Sequence, residues 1–547
     1  MTLRRSGPSR QWGWSIASVV VSAAVAVPII AILLSLGATG DSEWPHIRDV
    51  LLPEYLENTA WLMAQVGLYC LVLGVGTAWL TVATSFPGRR VFVWTLSLPL
   101  AIPAYILAYV YTDLLDFSGP VQTAARQLLG DDAQFPEIRS LGGAAIVMSL
   151  SLYPYVYLLA RVAFLQRSVR LFNAARTLGS SAFRAFFRIA LPSARAAIAG
   201  GTALVLMETL ADFGVVEYFG VPTFSTGIFR TWFAVGDRVA AMKLGAVMLI
   251  LVIVLVAAEK RSRGRGAPSE VEVEGSFPRI QLRGWRAVAA CVACLVPTTL
   301  GCLIPLGALV HLAASAGDPL LGSEFIAFAT NSIRVSILAA AVAVVLALLL
   351  TYAQQRGAHW STKGSIELAT LGYALPGTML AVGLLSPLTL FDRGLAEFFD
   401  TQLGWRSGLL LTGTTFVLIY ALVTRFLTVA FNTTSGGMTQ IPRRYEEAAR
   451  TLGASRSRVI GKIQLPLLRR AIVTAALLVF VDSMRELPAT LVLRPFNFET
   501  LATRVYRLAA DERLGEASTA ALAIVLIGLV PVLLLNRERS LDETTPP

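Results

Sequence analysis

One motif occurs twice in this chain, 274 residues apart, and divides the sequence into two related halves. The residues Ala-Ala-Arg-Thr-Leu-Gly end at Gly179 and again at Gly453. Each copy is followed, at the same spacing, by an Ile-x-Leu-Pro sequence that ends at Pro192 and at Pro466. Because two copies keep the same internal spacing, the chain is predicted to be a duplicated structure in which each half carries the same short device.

The long apolar runs around these motifs predict a membrane protein. Of the 547 residues, 55% are hydrophobic and 15% are charged, and the mean hydropathy is +0.64. One soluble core cannot bury so many apolar side chains. Runs of about 20 residues, enough to cross a hydrocarbon core of about 30 Å, recur about twelve times. The expected spans are 14–36, 61–85, 91–112, 142–165, 195–217 and 239–258, then 286–311, 332–354, 366–386, 408–431, 470–490 and 517–536.

The positions of the charges predict the orientation of these spans. The formal net charge is +11. Arginines precede the first span, follow the second and fill the first motif, whereas intervening stretches such as 41–57 and 113–137 are acidic. This positive-inside pattern places both motifs and both termini in the cytoplasm. It also argues against a nucleic-acid-binding surface.

The duplication continues beyond the motif into the spans themselves. Pro103 aligns with Pro376 at an offset of 273 residues. Proline removes a backbone donor and kinks or breaks a helix, so both are expected to mark bent or broken helices that line a central path. A kink that only improves packing is the alternative for each proline taken alone. At an offset of 274, the sequence also pairs Glu208 with Asp482, Asp212 with Glu486, Thr226 with Thr500 and Arg230 with Arg504.

Each copy of the motif is predicted to form a short helix that a glycine terminates. Glycine accepts positive φ at no steric cost and therefore ends helices readily. The small alanines allow another protein surface to approach closely, so the motif favours a docking helix. An amphipathic helix on anionic lipid is the alternative, but lipid binding requires charge and area rather than two copies in register.

These residues resemble the cytoplasmic loop of the permease subunits of ABC importers, Glu-Ala-Ala-x-x-x-Gly-x9-Ile-x-Leu-Pro. The resemblance implies an all-α polytopic membrane protein with two tandem type I ABC importer (MetI-like) permease domains. It implies that the loop is a coupling helix that seats on an ATPase subunit. The first copy departs from the pattern at Asn173, where the family usually has Glu, so the two docks are expected to differ in strength. The implied coupling residues are Asn173, Ala174, Ala175, Gly179, Leu191 and Pro192 in the first copy and Glu447, Ala448, Ala449, Gly453, Leu465 and Pro466 in the second.

A closer resemblance is to fused, two-domain permeases for ferric iron. It rests on the stretches 86–90, 111–120, 207–214, 218–222, 494–498 and 500–504. The resemblance implies a multi-pass protein of the bacterial inner membrane, a periplasmic substrate-binding protein and a separate ABC ATPase, expected to be a homodimer. The sequence has no Gly-x4-Gly-Lys-Ser/Thr phosphate loop, so ATP and Mg²⁺ are expected on the partner. The chain itself is expected to be no enzyme and to bind no cofactor or stable metal.

Four acidic residues inside the spans are the candidate substrate path. An ionisable group in a bilayer is costly unless it is paired or faces water. Glu208 and Asp212 are four residues apart and are expected on one helical face, as are Asp482 and Glu486. A hard trivalent cation prefers oxygen ligands, so one hypothesis is an acidic vestibule for the cation. The other is structural pairing, in which Arg485 neutralises an acid of its own half.

The predicted organisation has six segments, and two alternative functions stay open. Other small solutes, such as a polyamine, thiamine or a phosphonate, would suit a fused permease, and an ion-gradient secondary transporter also has about twelve spans. The segments are an N-terminal tail, span and periplasmic stretch (1–58), the first permease domain (59–258), a cytoplasmic linker (259–285), the seventh span and periplasmic stretch (286–329), the second permease domain (330–536) and a cytoplasmic tail (537–547).

Overall fold

Helices form nearly all the regular structure of the part of the chain that can be described, as the apolar runs predict. The computed structural model describes residues 9–38, 42–130, 136–167, 175, 177–263, 279–316, 322–356, 360–404 and 408–544. The first-half helices are α1 (Ser9–Ser35), α2 (Trp44–His46), α3 (Leu52–Ala83), α4 (Arg89–Thr95), α5 (Ala104–Leu115), α6 (Pro120–Leu129), α7 (Leu141–Arg167), α8 (Ala182–Ala185), α9 (Leu191–Ala211), α10 (Gly214–Tyr218), α11 (Phe224–Arg230) and α12 (Arg238–Arg263).

The second half follows the same order of elements. Its helices are α13 (Trp285–Thr298), α14 (Ile304–Ala316), α15 (Ser323–Arg356), α16 (Trp360–Ala369), α17 (Gly377–Leu403), α18 (Thr415–Thr439), α19 (Arg443–Thr451), α20 (Arg456–Val459), α21 (Leu465–Met484), α22 (Pro488–Leu493), α23 (Leu501–Ala510) and α24 (Leu514–Thr544). Short 3-10 turns occupy Leu98–Ala101 and Thr370–Ala374, and π turns occupy Ile47–Leu51, Phe186–Ala190, Thr231–Val235, Thr299–Leu303 and Ile460–Gln464.

Eleven described helices are long and apolar enough to cross a membrane, and a twelfth candidate is bent. The bent candidate joins Arg89–Ala101 to Ala104–Leu129 at 93°. The predicted number of spans is therefore confirmed by length and composition. Pro103 directly precedes α5 and Pro376 directly precedes α17, each with extended ψ. Both prolines thus lie at the helix breaks that the sequence predicts.

Two spans end earlier than the hydropathy predicts. The expected spans 195–217 and 470–490 end as helices at Ala211 and Met484. Asp212 leaves the helical region with a ψ of 137°. Consequently Glu208 and Asp212 do not lie on one helical face, and neither do Asp482 and Glu486. The expectation was wrong because a short new helix, α10 or α22, starts within a few residues. The second acid of each pair caps the N-terminal turn of that new helix.

One compact unit combines the second repeat with the first span. This unit, called the second-half unit, contains Met1–Ser42, Thr231–Ala246 and Leu320–Arg504. Helix α1 packs on α15, α16 and α17. The Ser15 hydroxyl lies 3.0 Å from that of Thr362. Helix α1 therefore supplies a wall for the second repeat, although the sequence places it before the first.

The other compact unit combines the first repeat with spans from the second half. This first-half unit contains Glu43–Arg230, Val247–Pro319 and Val505–Pro547. Helix α3 packs on α7 and α9, and α24 packs on α14 and on the 3-10 turn Leu98–Ala101. A Cβ added at Gly528 would lie 2.6 Å from the Ala101 carbonyl oxygen, so α24 needs glycine there. The compact units therefore do not coincide with the two sequence halves.

The predicted linker, 259–285, is partly regular where it is described. Helix α12 continues to Arg263, and residues 264–278 lie outside the described part of the chain. Strand β1 (Thr84–Ser85) then pairs in parallel with β2 (Ile280–Gln281), with Thr84 opposite Ile280. The end of the linker is thus fixed to the first repeat by backbone hydrogen bonds.

Candidate functional site: the repeated motifs and the acidic helix ends

The second copy of the motif is a helix closed by a glycine turn. Gly453 has a φ of +81°, and the Ala454 amide donates to the Ala449 carbonyl at 3.0 Å. This bond spans the helix end in the pattern that follows a left-handed glycine. Glu447 and Ala448 are exposed on α19 and Ala449 is half-buried. The predicted docking residues therefore present an accessible surface.

The described residues of the first copy form the same turn. Gly179 has a φ of +84°, and the Ser180 amide donates to the Ala175 carbonyl at 2.9 Å. Asn173 and Ala174 lie outside the described residues, so the predicted difference between Asn173 and Glu447 stays a prediction. The matching glycine turns support the helix-and-glycine interpretation in both copies.

A leucine stands next to the glycine in both copies, and its side chain is almost completely exposed. Leu178 is 86% exposed and Leu452 is 88% exposed. An isolated exposed leucine is common on proteins, but these two occupy equivalent positions on the surface predicted to dock. The sequence signal, a leucine directly before the terminating glycine, is visible in both copies.

The end of each motif continues directly into a membrane helix. Leu191 and Leu465 are the first residues of α9 and α21, and Pro192 and Pro466 lie in their first turns. Each proline follows a π turn, Phe186–Ala190 or Ile460–Gln464, within a continuous helical segment, and such a bulge accommodates a residue that cannot donate a backbone hydrogen bond. The Ile-x-Leu-Pro end of each motif is therefore part of the membrane helix.

Beyond the shared turn, the two copies present different surfaces. In the first copy, Phe183 and Phe187 are exposed, and their ring centroids are 4.7 Å apart. The equivalent positions of the second copy are Ser457 and Gly461. Among the described residues, Gln464 Nε2 of the second copy donates to Glu446 Oε2 at 3.4 Å, whereas the first copy has Ala190 at the position of Gln464. These differences add to the one that the sequence predicts at Asn173.

At the C-terminal end of α21, Glu486 is buried and both of its carboxylate oxygens accept hydrogen bonds. Its Oε1 accepts from Arg425 Nη1 and from the Ala489 amide, each at 3.0 Å. Its Oε2 accepts from the amide and the hydroxyl of Thr490, each at 3.0 Å. Asp482, one turn earlier and half-buried, pairs with Arg485. Glu486 thus caps α22 and neutralises Arg425 of α18.

At the outer end of α9, the equivalent Asp212 keeps the cap, while Ser151 stands where the second half has Arg425. Asp212 Oδ1 accepts from the Val215 amide at 3.0 Å and from the Val216 amide at 3.3 Å. Ser151 donates to the Ile102 carbonyl at 2.9 Å. Glu208 is half-buried on α9. The two helix ends therefore share a backbone design and differ in charge.

In the segments that follow α10 and α22, the residues of the two halves correspond at a different offset from the one that the sequence suggested. The Thr223 amide donates to Thr226 Oγ1, and the Thr500 amide donates to Thr503 Oγ1, both at 2.9 Å. Thr226 therefore corresponds to Thr503, and Arg230 to Arg507. The predicted pairs Thr226/Thr500 and Arg230/Arg504 were wrong because the turn around Asn497, with a φ of +58°, is three residues longer in the second half.

A family comparison accounts for both halves at once. The family of binding-protein-dependent transport system inner membrane components matches residues 70–258 and again residues 358–538. These two segments contain both motifs, both prolines at the helix breaks and all four acids. The chain belongs to this family. The permease is therefore a multi-pass protein of the inner membrane and a transport subunit of a system that depends on a binding protein.

Individual relatives of the permease include one that extends over nearly its whole length. The Fe(3+)-transport system permease protein FbpB 2 of Haemophilus influenzae is 25% identical over 496 residues, covering 89% of this chain and 90% of the relative. The putative ferric transport system permease protein FbpB 1 of the same organism is 23% identical and covers 88% and 77%. The molybdenum transport system permease protein ModB of Escherichia coli is 31% identical over 152 residues, 28% of this chain and 65% of ModB.

Sequence reasoning missed two residues of the second-half site, Arg425 and Gly377. Arg425 is 8% exposed and was visible as a lone arginine in the apolar run of α18, which is a functional signal in a membrane span. Gly377 follows Pro376, and a Cβ there would lie 2.6 Å from Glu486 Oε1. In the described part of the chain, no three His, Cys, Asp or Glu side chains are grouped as metal ligands would be.

Proposed function

We propose that this permease imports ferric iron that a periplasmic binding protein delivers, driven by a separate ATPase. The observation that carries the proposal is the similarity to FbpB 2, which spans 89% of this chain and 90% of the relative. A match of that extent includes the outer segments and the spans as well as the motif shared by the wider family. FbpB 1, the second full-length ferric relative, supports the same substrate.

The proposed energy source is a homodimeric ATPase that contacts both motifs. Its docking surface consists of the first motif up to Gly179 and of α19, and it includes the exposed Leu178 and Leu452. Because each motif ends within the helical segment that continues into α9 or α21, movement of an ATPase subunit would be passed to a membrane helix. A secondary transporter would have no use for two such surfaces.

The proposed substrate path passes the acidic helix ends and the breaks at Pro103 and Pro376. Glu208, Asp212 and Asp482 provide carboxylate oxygens, which suit a hard cation. Glu486 is set apart because it is buried and bound to Arg425 and to backbone amides, whereas Asp482, although it pairs with Arg485, is half-buried. An oxyanion is the second candidate, since ModB shares 31% identity with part of this chain, and carboxylates at the path would repel it.

The deciding experiment is ATP-driven uptake in proteoliposomes that contain the permease, its ATPase and its binding protein. Ferric iron should accumulate, and molybdate, a polyamine, thiamine and a phosphonate should not. An ATPase variant that binds but does not hydrolyse ATP is the control for leakage. Accumulation of another solute without iron would overturn the assignment of ferric iron as the substrate. Joint replacement of Glu208 by Gln and Asp482 by Asn should lower iron uptake while assembly is retained, and normal uptake would exclude the acidic path.

A further inference from the structure

The Arg425–Glu486 pair connects three helices of the second-half unit. Arg425 projects from α18, and Glu486 lies between α21 and α22 and binds two amides of α22. Both side chains are buried. Separating such a pair leaves an uncompensated buried charge, which is strongly unfavourable. The three elements are therefore expected to move together.

The same pair also presses against the start of α17. A Cβ added at Gly377 would lie 2.6 Å from Glu486 Oε1 and 2.8 Å from Arg425 Nη1. Real Cβ atoms do not approach polar atoms so closely, so only glycine leaves space for the pair at this position. The ion pair thus contacts the helix break at Pro376 as well as α18 and α22.

Four buried polar atoms lie on the helices that meet at this pair. Thr378 Oγ1 is on α17, Arg425 Nε and Thr424 Oγ1 are on α18, and Ser483 Oγ is on α21, and none of the four has a hydrogen-bond partner among the described residues. Leaving a buried polar atom without a partner is unfavourable. A shift of α17 or α18 would change which groups these atoms can reach, as expected of elements that have a second arrangement.

The first-half unit has a matched set of replacements at the same three positions. Ala104 corresponds to Gly377, Ser151 to Arg425 and Asp212 to Glu486. The first half therefore lacks the cation, has a shorter acid and carries a methyl group where the second half needs open space. The contact is a property of one half of the permease.

We propose that Arg425 and Glu486 are positioning residues that make α17 and α18 follow α21. Helix α21 begins at Leu465, within the Ile-x-Leu-Pro end of the second motif, so the contact would carry movement from the ATPase side to the break at Pro376. This inference rests on the proposed function, since it needs an ATPase at the motif. It adds that the second half passes this input to the break at Pro376 through the ion pair, whereas the first half has Ser151 at the position of the arginine.

The test compares Gly377→Ala with its matched control, Ala104→Gly, in the reconstituted transporter. Gly377→Ala keeps both charges but forces them apart, and uptake per ATP hydrolysed should fall about tenfold, within the range of allosteric coupling free energies. ATP hydrolysis and assembly with the ATPase should be retained. Ala104→Gly should leave uptake per ATP unchanged. Arg425→Gln should resemble Gly377→Ala, and Arg425→Lys should restore part of the coupling because it restores the charge.

Hydrogen exchange of the peptide 376–382 gives a second readout that needs no substrate. In the wild-type complex its exchange should change when the ATPase binds nucleotide, and in Gly377→Ala that change should be lost. An unchanged nucleotide response and an unchanged uptake per ATP in a folded Gly377→Ala protein would overturn the proposal. A proportional fall of uptake and hydrolysis would also overturn it, since a purely structural contact predicts that result. Failure of the proposed function is distinct, because the wild type itself would then import no iron.

Discussion

The outer ends of α9 and α21 occupy equivalent places in the duplicated sequence, yet they are held in different ways. At both ends an acid leaves the membrane helix and caps the next short helix through two backbone amides. Glu486 also binds Arg425, and the position of that arginine is occupied by Ser151 in the first half. The two helix ends therefore share the same backbone arrangement and differ in the charged side chain that accompanies it. Between the two halves of this permease, the backbone geometry of these helix ends is more similar than their arrangement of charges.

The largest expected difference is in stability. Glu486→Ala leaves the Arg425 charge buried without a partner and should cost about 3–5 kcal/mol. Asp212→Ala removes a helix cap and should cost about 1 kcal/mol. Thermal unfolding of both purified variants in detergent measures the contrast. Equal losses would mean that the ion pair contributes nothing beyond the cap and that the two ends are equivalent.

A smaller difference is expected at the two docking surfaces. Leu452→Asp should weaken binding of the ATPase by about 2 kcal/mol, roughly 30-fold, because a charge replaces an exposed apolar side chain on the proposed docking surface. Leu178→Asp should weaken ATPase binding by a smaller amount, because the first docking surface has Asn173 at the position of Glu447 and is expected to bind more weakly. Titration of the ATPase against detergent-solubilised permease measures both. Asn173→Glu should bring the ATPase affinities of the two docking surfaces closer together. If the affinities still differ by the same amount, the difference is due to Phe183 and Phe187.

The smallest expected effect is a loss of stability that tests whether Thr226 corresponds to Thr503. Thr226→Ala and Thr503→Ala each remove a hydroxyl that accepts from a backbone amide, and each should cost about 1 kcal/mol. Serine at either position keeps the hydroxyl and is the control. Matching losses from thermal unfolding support the correspondence of Thr226 with Thr503. A large loss at only one of the two positions would contradict it.

The sequence predicted the features that depend on local chemistry. The glycine turns at Gly179 and Gly453 follow from residue type, the helix breaks follow from Pro103 and Pro376, and the number of spans follows from hydropathy. The ends of α9 and α21 could not be predicted in the same way. Apolar residues continue beyond Ala211 and Met484, and the helices stop because an acidic side chain caps a new helix. That choice depends on amides that hydropathy does not report.

Tertiary partners were the second limit on prediction. Arg425 carried a signal as a lone charge in a span, but its partner lies 61 residues away in the sequence. Likewise, the apolar composition of α1 and α24 predicts membrane helices without indicating which repeat they cover. Helix packing in a membrane depends on the fit of small and large side chains, as at Gly528, and not on hydrophobicity alone.

The assignment of α24 to the first-half unit sets the order in which this protein is completed during synthesis. Helix α9 ends at Ala211 and α24 begins at Leu514, so the ribosome adds some 300 residues between them, which takes roughly 15 to 60 s. During that time the 3-10 turn at Leu98–Ala101 has no α24 against it. The first repeat can therefore complete its packing only after the whole second half has been made.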